Sequence, residues 1–179
     1  MFAIRAFRRV SVALIVFCSA FLSAHAQSPA YKKWISEDVR WIISAQERAD
    51  FEALRTDEQR TEFVKAFWLR RDPTPDTAEN EFKEEHYRRL AFANQHFPEG
   101  VAGWKTDRGH IYIVNGPPDQ IDIPSVLDKA PRQNGFVKQQ PYEIWRYKHA
   151  VGPDHLKTFK FVDKCSCGKY ELSDTPPLP

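Results

Sequence analysis

The chain has 179 residues, with 26 Lys+Arg against 24 Asp+Glu and a formal net charge of +2. Residues 1–26 carry Arg5, Arg8 and Arg9 and no acidic residue. Without them Lys+Arg falls to 23 and the net charge becomes −1. The basic balance is therefore partly an export effect, and it gives no ground for nucleic-acid binding.

The N-terminus reads as a targeting segment. A basic start precedes an apolar run, Val10 to Leu22, too short to span a bilayer as a helix. Ala24, His25 and Ala26 give a small-x-small cleavage pattern, with the cut between Ala26 and Gln27. Cys18 lies inside the apolar run without the small residue that lipid attachment would want before it. An uncleaved N-terminal anchor is the competing reading. The expected organisation is a signal peptide over 1–26, a single domain over 27–173 and a Pro-rich tail over 174–179. No transmembrane segment is expected after cleavage. All five Trp fall in the mature chain, so its core should be aromatic.

From Tyr31 to Phe97 the periodicity predicts helices. Trp34, Asp38, Val39 and Ile42 share one face of the first. Ser44 with Glu47, and Thr56 with Gln59, are capping boxes that open the second and third. These should reach Leu54 and about Arg71. Phe63, Val64, Phe67 and Trp68 make an apolar stripe on the third. Pro73 and Pro75 stop it. Asp76 or Thr77 should cap a fourth helix ending near Phe97, with Phe82, Leu90, Ala93 and Phe97 buried.

Residues 111–114, apolar on both faces between Gly-containing turns, predict a buried strand that Pro117 and Pro118 end. On this reading Gly103, Gly109 and Gly116 supply positive φ. Alternation predicts strands over 142–147 and 158–162, with a shorter one over 169–172. The last two should form a hairpin. Residues 120–141, with three Pro and one Gly, read as a long loop. A run of helices followed by a run of strands is an α+β pattern: about four helices on an antiparallel sheet of about four strands.

Several separate blocks resemble the GWxTD domain family. The first is Gly103-Trp104 with Thr106-Asp107, running on to Asp119. The others are Phe67 to Pro75, Asn80 to Arg89, Tyr142 to Tyr147, and Phe159 with Phe161 to Asp163. The resemblance covers nearly the whole mature chain. It implies a bacterial envelope or secreted protein of a family with no assigned reaction. One departure is the turn after Asp163, Lys164-Cys165-Ser166-Cys167, where the family pattern is Gly- and Asp-rich.

Each motif has a bland and a sharp reading. Trp104, Thr106 and Asp107 read as a corner, with Trp104 packed on the sheet and both polar residues bonded to the turn backbone. The catalytic alternative makes Asp107 an acid or base, but no sequence-adjacent nucleophile or second carboxylate supports it. Arg70, Arg71 and Asp72 end a helix and suit its C-terminal carbonyls. The alternatives are an anion clamp, or ion pairs to a Glu of the following helix. Glu81, Glu85 and His86 lack metal-binding spacing: Lys83, not Glu, stands three before His86. They read as an ion-paired helix face.

Cys165 and Cys167 are the only cysteines left after export. A local disulfide, a soft-metal site and an interchain bridge all compete. His149 and His155 are the nearest candidate third ligands. No cofactor is indicated. The sequence favours a binding or assembly module with an envelope protein partner. A hydrolase using Asp107 with Arg or Glu from the helical half is one alternative. A disulfide-linked dimeric scaffold is the other.

Overall fold

In the computed structural model, residues 28–124, 140–148 and 157–173 are described. The segment read as a signal peptide, most of the 120–141 loop, His149, His155 and the Pro-rich tail lie outside them. The architecture is α+β: five α-helices lead into a four-stranded antiparallel sheet of order β1-β2-β3-β4.

Helix α1 (Pro29–Lys33) runs into a π-helical turn (Trp34–Asp38). The wider turn ends with Val39 N–H donating to the Trp34 carbonyl at 3.0 Å. Trp34, Ile35 and Val39 all become buried there. Helix α2 (Ala45–Ala53) and helix α3 (Asp57–Leu69) both open with the expected capping boxes. Together these segments enclose a first core of Trp34, Ile35, Val39, Phe51, Phe67 and Trp68.

Helix α4 (Glu81–His96) begins later than expected. Its cap is Asn80, not Asp76 or Thr77. The Asn80 side chain accepts from Lys83 N–H at 2.8 Å and donates to the Trp68 carbonyl at 2.8 Å. One side chain thus starts α4 and satisfies an end carbonyl of α3. Leu90 and Ala93 are buried as expected, whereas Phe82 is exposed.

The largest correction concerns residues 111–114. They form no strand but belong to helix α5 (Asp107–Asn115). Thr106 caps it by accepting from Gly109 N–H at 3.0 Å. Gly116, at φ 84°, ends it. The helix is apolar on two sides because it is sandwiched. Ile113 joins a second core of Leu90, Ala93 and Trp104, while Ile111 joins a third of Trp145, Tyr147 and Phe161. A short run apolar on both sides has the same pattern in a buried strand, so periodicity alone does not separate the two.

The first strand is instead β1 (Gln120–Asp122), inside the expected loop. It pairs with β2 (Tyr142–Tyr147), with Ile121 opposite Trp145. β2 pairs with β3 (Lys157–Val162), and β3 forms the expected hairpin with β4 (Glu171–Leu172). Glu143, Trp145 and Tyr147 alternate inward along β2. No described helix is long and apolar enough to cross a membrane.

Candidate functional site

The signature residues meet where the helical layer joins the sheet. Gly103 opens a 3-10 turn (Gly103–Lys105) pressed against α4. A Cβ at Gly103 would lie 1.9 Å from the Ala93 carbonyl oxygen, and one at Gly109 would lie 1.8 Å from the Gly103 carbonyl oxygen. Both glycines therefore serve close backbone approach rather than positive φ, which among the three falls to Gly116 alone.

Trp104 is buried between α4, α5 and Trp41, not against the sheet. Its backbone is held on both sides: N–H donates to Asn94 Oδ1 at 3.1 Å, and the carbonyl accepts from Trp41 Nε1 at 2.8 Å. Thr106 Oγ1 donates to the Gly103 carbonyl at 2.8 Å while capping α5. Asp107 does not serve the turn. Its Oδ2 accepts from the backbone N–H of Leu172 in β4 at 2.7 Å.

The next residue carries the other half of this junction, and sequence reasoning missed it. Arg108 bridges Glu99 at 2.8 Å and Glu143 at 2.9 Å, with all three side chains largely buried. Glu99 also accepts from Tyr170 N–H at 3.0 Å, and Glu143 accepts from Trp145 Nε1 at 3.0 Å. The guanidinium lies 4.1 Å from the Tyr170 ring centroid. The available signal was Glu143 itself. A carboxylate on the inward face of an alternating strand needs a buried cation.

Arg70 and Arg71 pair with Glu47 of α2, not with a Glu of α4. Arg71 reaches Glu47 at 2.7 and 2.9 Å, and Arg70 reaches it at 3.0 Å. Arg71 also donates to the Phe67 carbonyl at 3.0 Å, so the role at the helix C-terminus is present as well. These arginines hold the Glu47 carboxyl down at about 2, with Arg71 the leading cause. Asp72 accepts from Thr74 N–H at 3.0 Å and so shapes the following turn.

Glu81 accepts from the Thr74 hydroxyl, which lowers its pKa. Glu85 pairs with Arg88 and Arg89 on its own helix. His86 is buried, which lowers its pKa. Its Nε2 lies 2.6 Å from the Asp38 carbonyl oxygen, to which only a protonated nitrogen can bond. Asp107, Arg71 and Glu85 are thus engaged in three different places and do not converge on one cleft.

A different group of residues does converge. A depression of about 410 Å³ is lined by Ser36, Glu37, Arg40, Trp41, Trp104 and Lys105. A second, of about 310 Å³, shares Glu37 and Trp104, includes the ion-paired Lys33 and Asp38, and runs on to Leu90, Asn94 and Ala102. Trp104, only 7% exposed, lines both depressions, which together are called the groove. The Arg40 guanidinium lies 5.2 Å from the Trp41 ring centroid and 5.9 Å from that of Trp104, and the Lys105 ammonium lies 5.0 Å from Trp104. His110 stacks on Trp41 at 3.8 Å, and burial lowers its pKa. Among the described residues neither Arg40 nor Lys105 forms an ion pair. Indole faces beside cations free to pair suit an anionic, partly apolar ligand.

In the turn between β3 and β4, Cys165 and Cys167 form a disulfide within the chain, with Cα atoms 5.2 Å apart.

Fold and junction define an α+β domain organised around a Gly-Trp-x-Thr-Asp corner. The family model described as GWxTD domain matches residues 16–175, so the chain belongs to the GWxTD domain family. No curated protein matches the chain, and no solved structure does.

Proposed function

We propose that this chain is an exported binding module of the bacterial cell envelope. In this reading its partner is an envelope protein that places an acidic, extended segment in the groove beside Trp104. The observation that carries the reading is the excess of cations in the first depression, Arg40 and Lys105 against the single carboxylate of Glu37. Arg40 and Lys105 lie over indole rings and have no carboxylate partner among the described residues. Cations left for a ligand, on a tryptophan floor, favour a carboxylate-bearing chain. The signature explains the geometry, because the Gly103 approach and the Asn94 and Trp41 bonds hold Trp104 in place.

The export half of the proposal rests on the basic start, the apolar run and Ala26-Gln27. Mass analysis of the mature N-terminus should find Gln27. An intact Met1 in a soluble cytoplasmic pool would refute it.

The binding half is tested by capturing the tagged protein from its own envelope fraction, alongside an Arg40→Glu/Lys105→Glu variant. A discrete partner held by the wild type and lost by the variant is the expected result. Equal capture by both refutes the groove.

A further inference from the structure

The hairpin tip between β3 and β4 carries a second chemistry, independent of the groove. Cys165 and Cys167 are both exposed there and joined to each other. The turn around them is also held by other means. Asp163, 3% exposed, accepts from Cys167 N–H at 3.1 Å and from Gly168 N–H at 2.7 Å. Its backbone carbonyl accepts from Ser166 N–H at 3.3 Å. Ser166 and Gly168 take positive φ, and Lys164 bridges Glu171 across the hairpin at 2.6 Å. Opening the bond would therefore leave both sulfurs presented from one shaped turn.

Asp163 also supplies what the sequence lacked, a third ligand. Its Oδ1 lies 3.2 Å from Cys165 Sγ. A carboxylate oxygen and the two sulfurs all fall within 4.8 Å of one another. Two thiolates and a carboxylate are a donor set for a zinc-class divalent cation, with the solvent side open to a fourth ligand.

We propose that the hairpin tip is a redox-gated metal site, in which reduced Cys165 and Cys167 hold a zinc-class cation together with Asp163. As a disulfide the sulfurs offer no thiolate, so the site is closed. It opens by exchange with a protein dithiol. One thiolate of the dithiol attacks a sulfur of the bridge, the S–S bond breaks, and a mixed disulfide forms. The second thiol resolves it. The donor leaves as a disulfide, oxidised by two electrons, and the two protons it gives up end on Cys165 and Cys167. The cation then displaces these protons as it binds the thiolates. Exposure puts the bridge within reach of such a donor, and its short loop adds little to stability.

The test uses the full chain carrying Cys18→Ser, which leaves only these two of the three cysteines. The protein is reduced with a phosphine, desalted without air, and titrated with Cd²⁺ alone and then Zn²⁺ alone. One Cd²⁺ per chain is expected, with sulfur-to-metal charge-transfer absorbance, and the circular dichroism of a folded protein throughout. Oxidation should expel the metal. Cys165→Ser, which keeps Asp163 and its turn bonds, should abolish the absorbance. Asp163→Asn should weaken binding by about tenfold or more, a loss that even outer-sphere partners of a metal produce. Absence of a one-to-one complex overturns the proposal, as does equal affinity in the Cys165→Ser chain. Unchanged affinity in Asp163→Asn removes Asp163 from the site and overturns it as stated.

Discussion

Glu47 is the residue whose removal should tell most about the helical half. Its carboxylate receives Ser44 N–H at 3.0 Å, two bonds from Arg71 and one from Arg70. Arg71 in turn lies 3.6 Å from the centre of the Phe67 ring and donates to the Ile42 carbonyl. One side chain thus caps α2 and ties it to the end of α3. Holding the carboxyl at about 2 rather than 4.5 corresponds by linkage to about 3 kcal/mol at neutral pH. Solvent reaches the edge of the cluster and screens it, which brings the expected contribution to about 1–3 kcal/mol. The folded-state value is depressed, so this stability is fully present above pH 4.5. It is lost as pH falls toward about 2. His86 acts in the same direction at higher pH. Burial lowers its pKa from 6.5, so protonation favours the unfolded chain as pH falls below that value. Wild-type stability should therefore begin to fall below pH 6.5 and fall faster below pH 4.5. Glu47→Gln should lower Tm by about 3–10 °C at pH 7. Its deficit should shrink as the wild-type carboxyl protonates. Urea melts from pH 7 down to pH 3 follow this directly. A deficit that stays constant across the range would refute the reasoning. So would a comparable deficit in Glu85→Gln, whose ion pairs stay on its own helix.

Three further outcomes follow from the corner and the hairpin. Gly103→Ala should destabilise by about 1–3 kcal/mol or more, because the added methyl meets Ala93 backbone rather than a movable side chain; thermal melts decide it. Trp104→Ala should cost about 3–5 kcal/mol as a buried large-to-small change, and an unchanged melting curve would mean the indole is not an anchor. The Cys165→Ser/Cys167→Ser chain should melt close to wild type, since Asp163 continues to hold the turn; a large drop in Tm would show the bridge to be structural.

What the sequence made legible was mostly local. The caps at Ser44 and Thr56 are defined by a partner three residues away, and both were readable. Strands β2 and β3 carry enough alternation to be recognised, whereas β1 has only three residues. Helix α5 was misread because Ile111 and Ile113 serve different cores on opposite sides. Its Thr106 cap and the Gly116-Pro117 stop were the signals that outweigh the apolar run. The wrong partner for Arg71 has a different cause. Glu47 is 24 residues away, and only the packing of α2 against α3 brings it in. The groove is nonlocal in the same way, since Arg40 and Trp41 meet Trp104 from 63 or more positions away. Asp163 stood two residues from Cys165 throughout, but only the hairpin turn shows that it folds back on the sulfur.

A photo-crosslinking amino acid at Ser36, introduced in living cells, would probe the groove while leaving Arg40, Trp104 and Lys105 in place. The same group at Glu84, an exposed position of α4 outside the groove lining, is the control. A single discrete adduct from Ser36, mapped to an acidic stretch of an envelope protein and lost when Arg40→Glu and Lys105→Glu are added, is the expected result. No adduct from Ser36, or the same adduct from Glu84, would contradict a binding role for the groove beside Trp104.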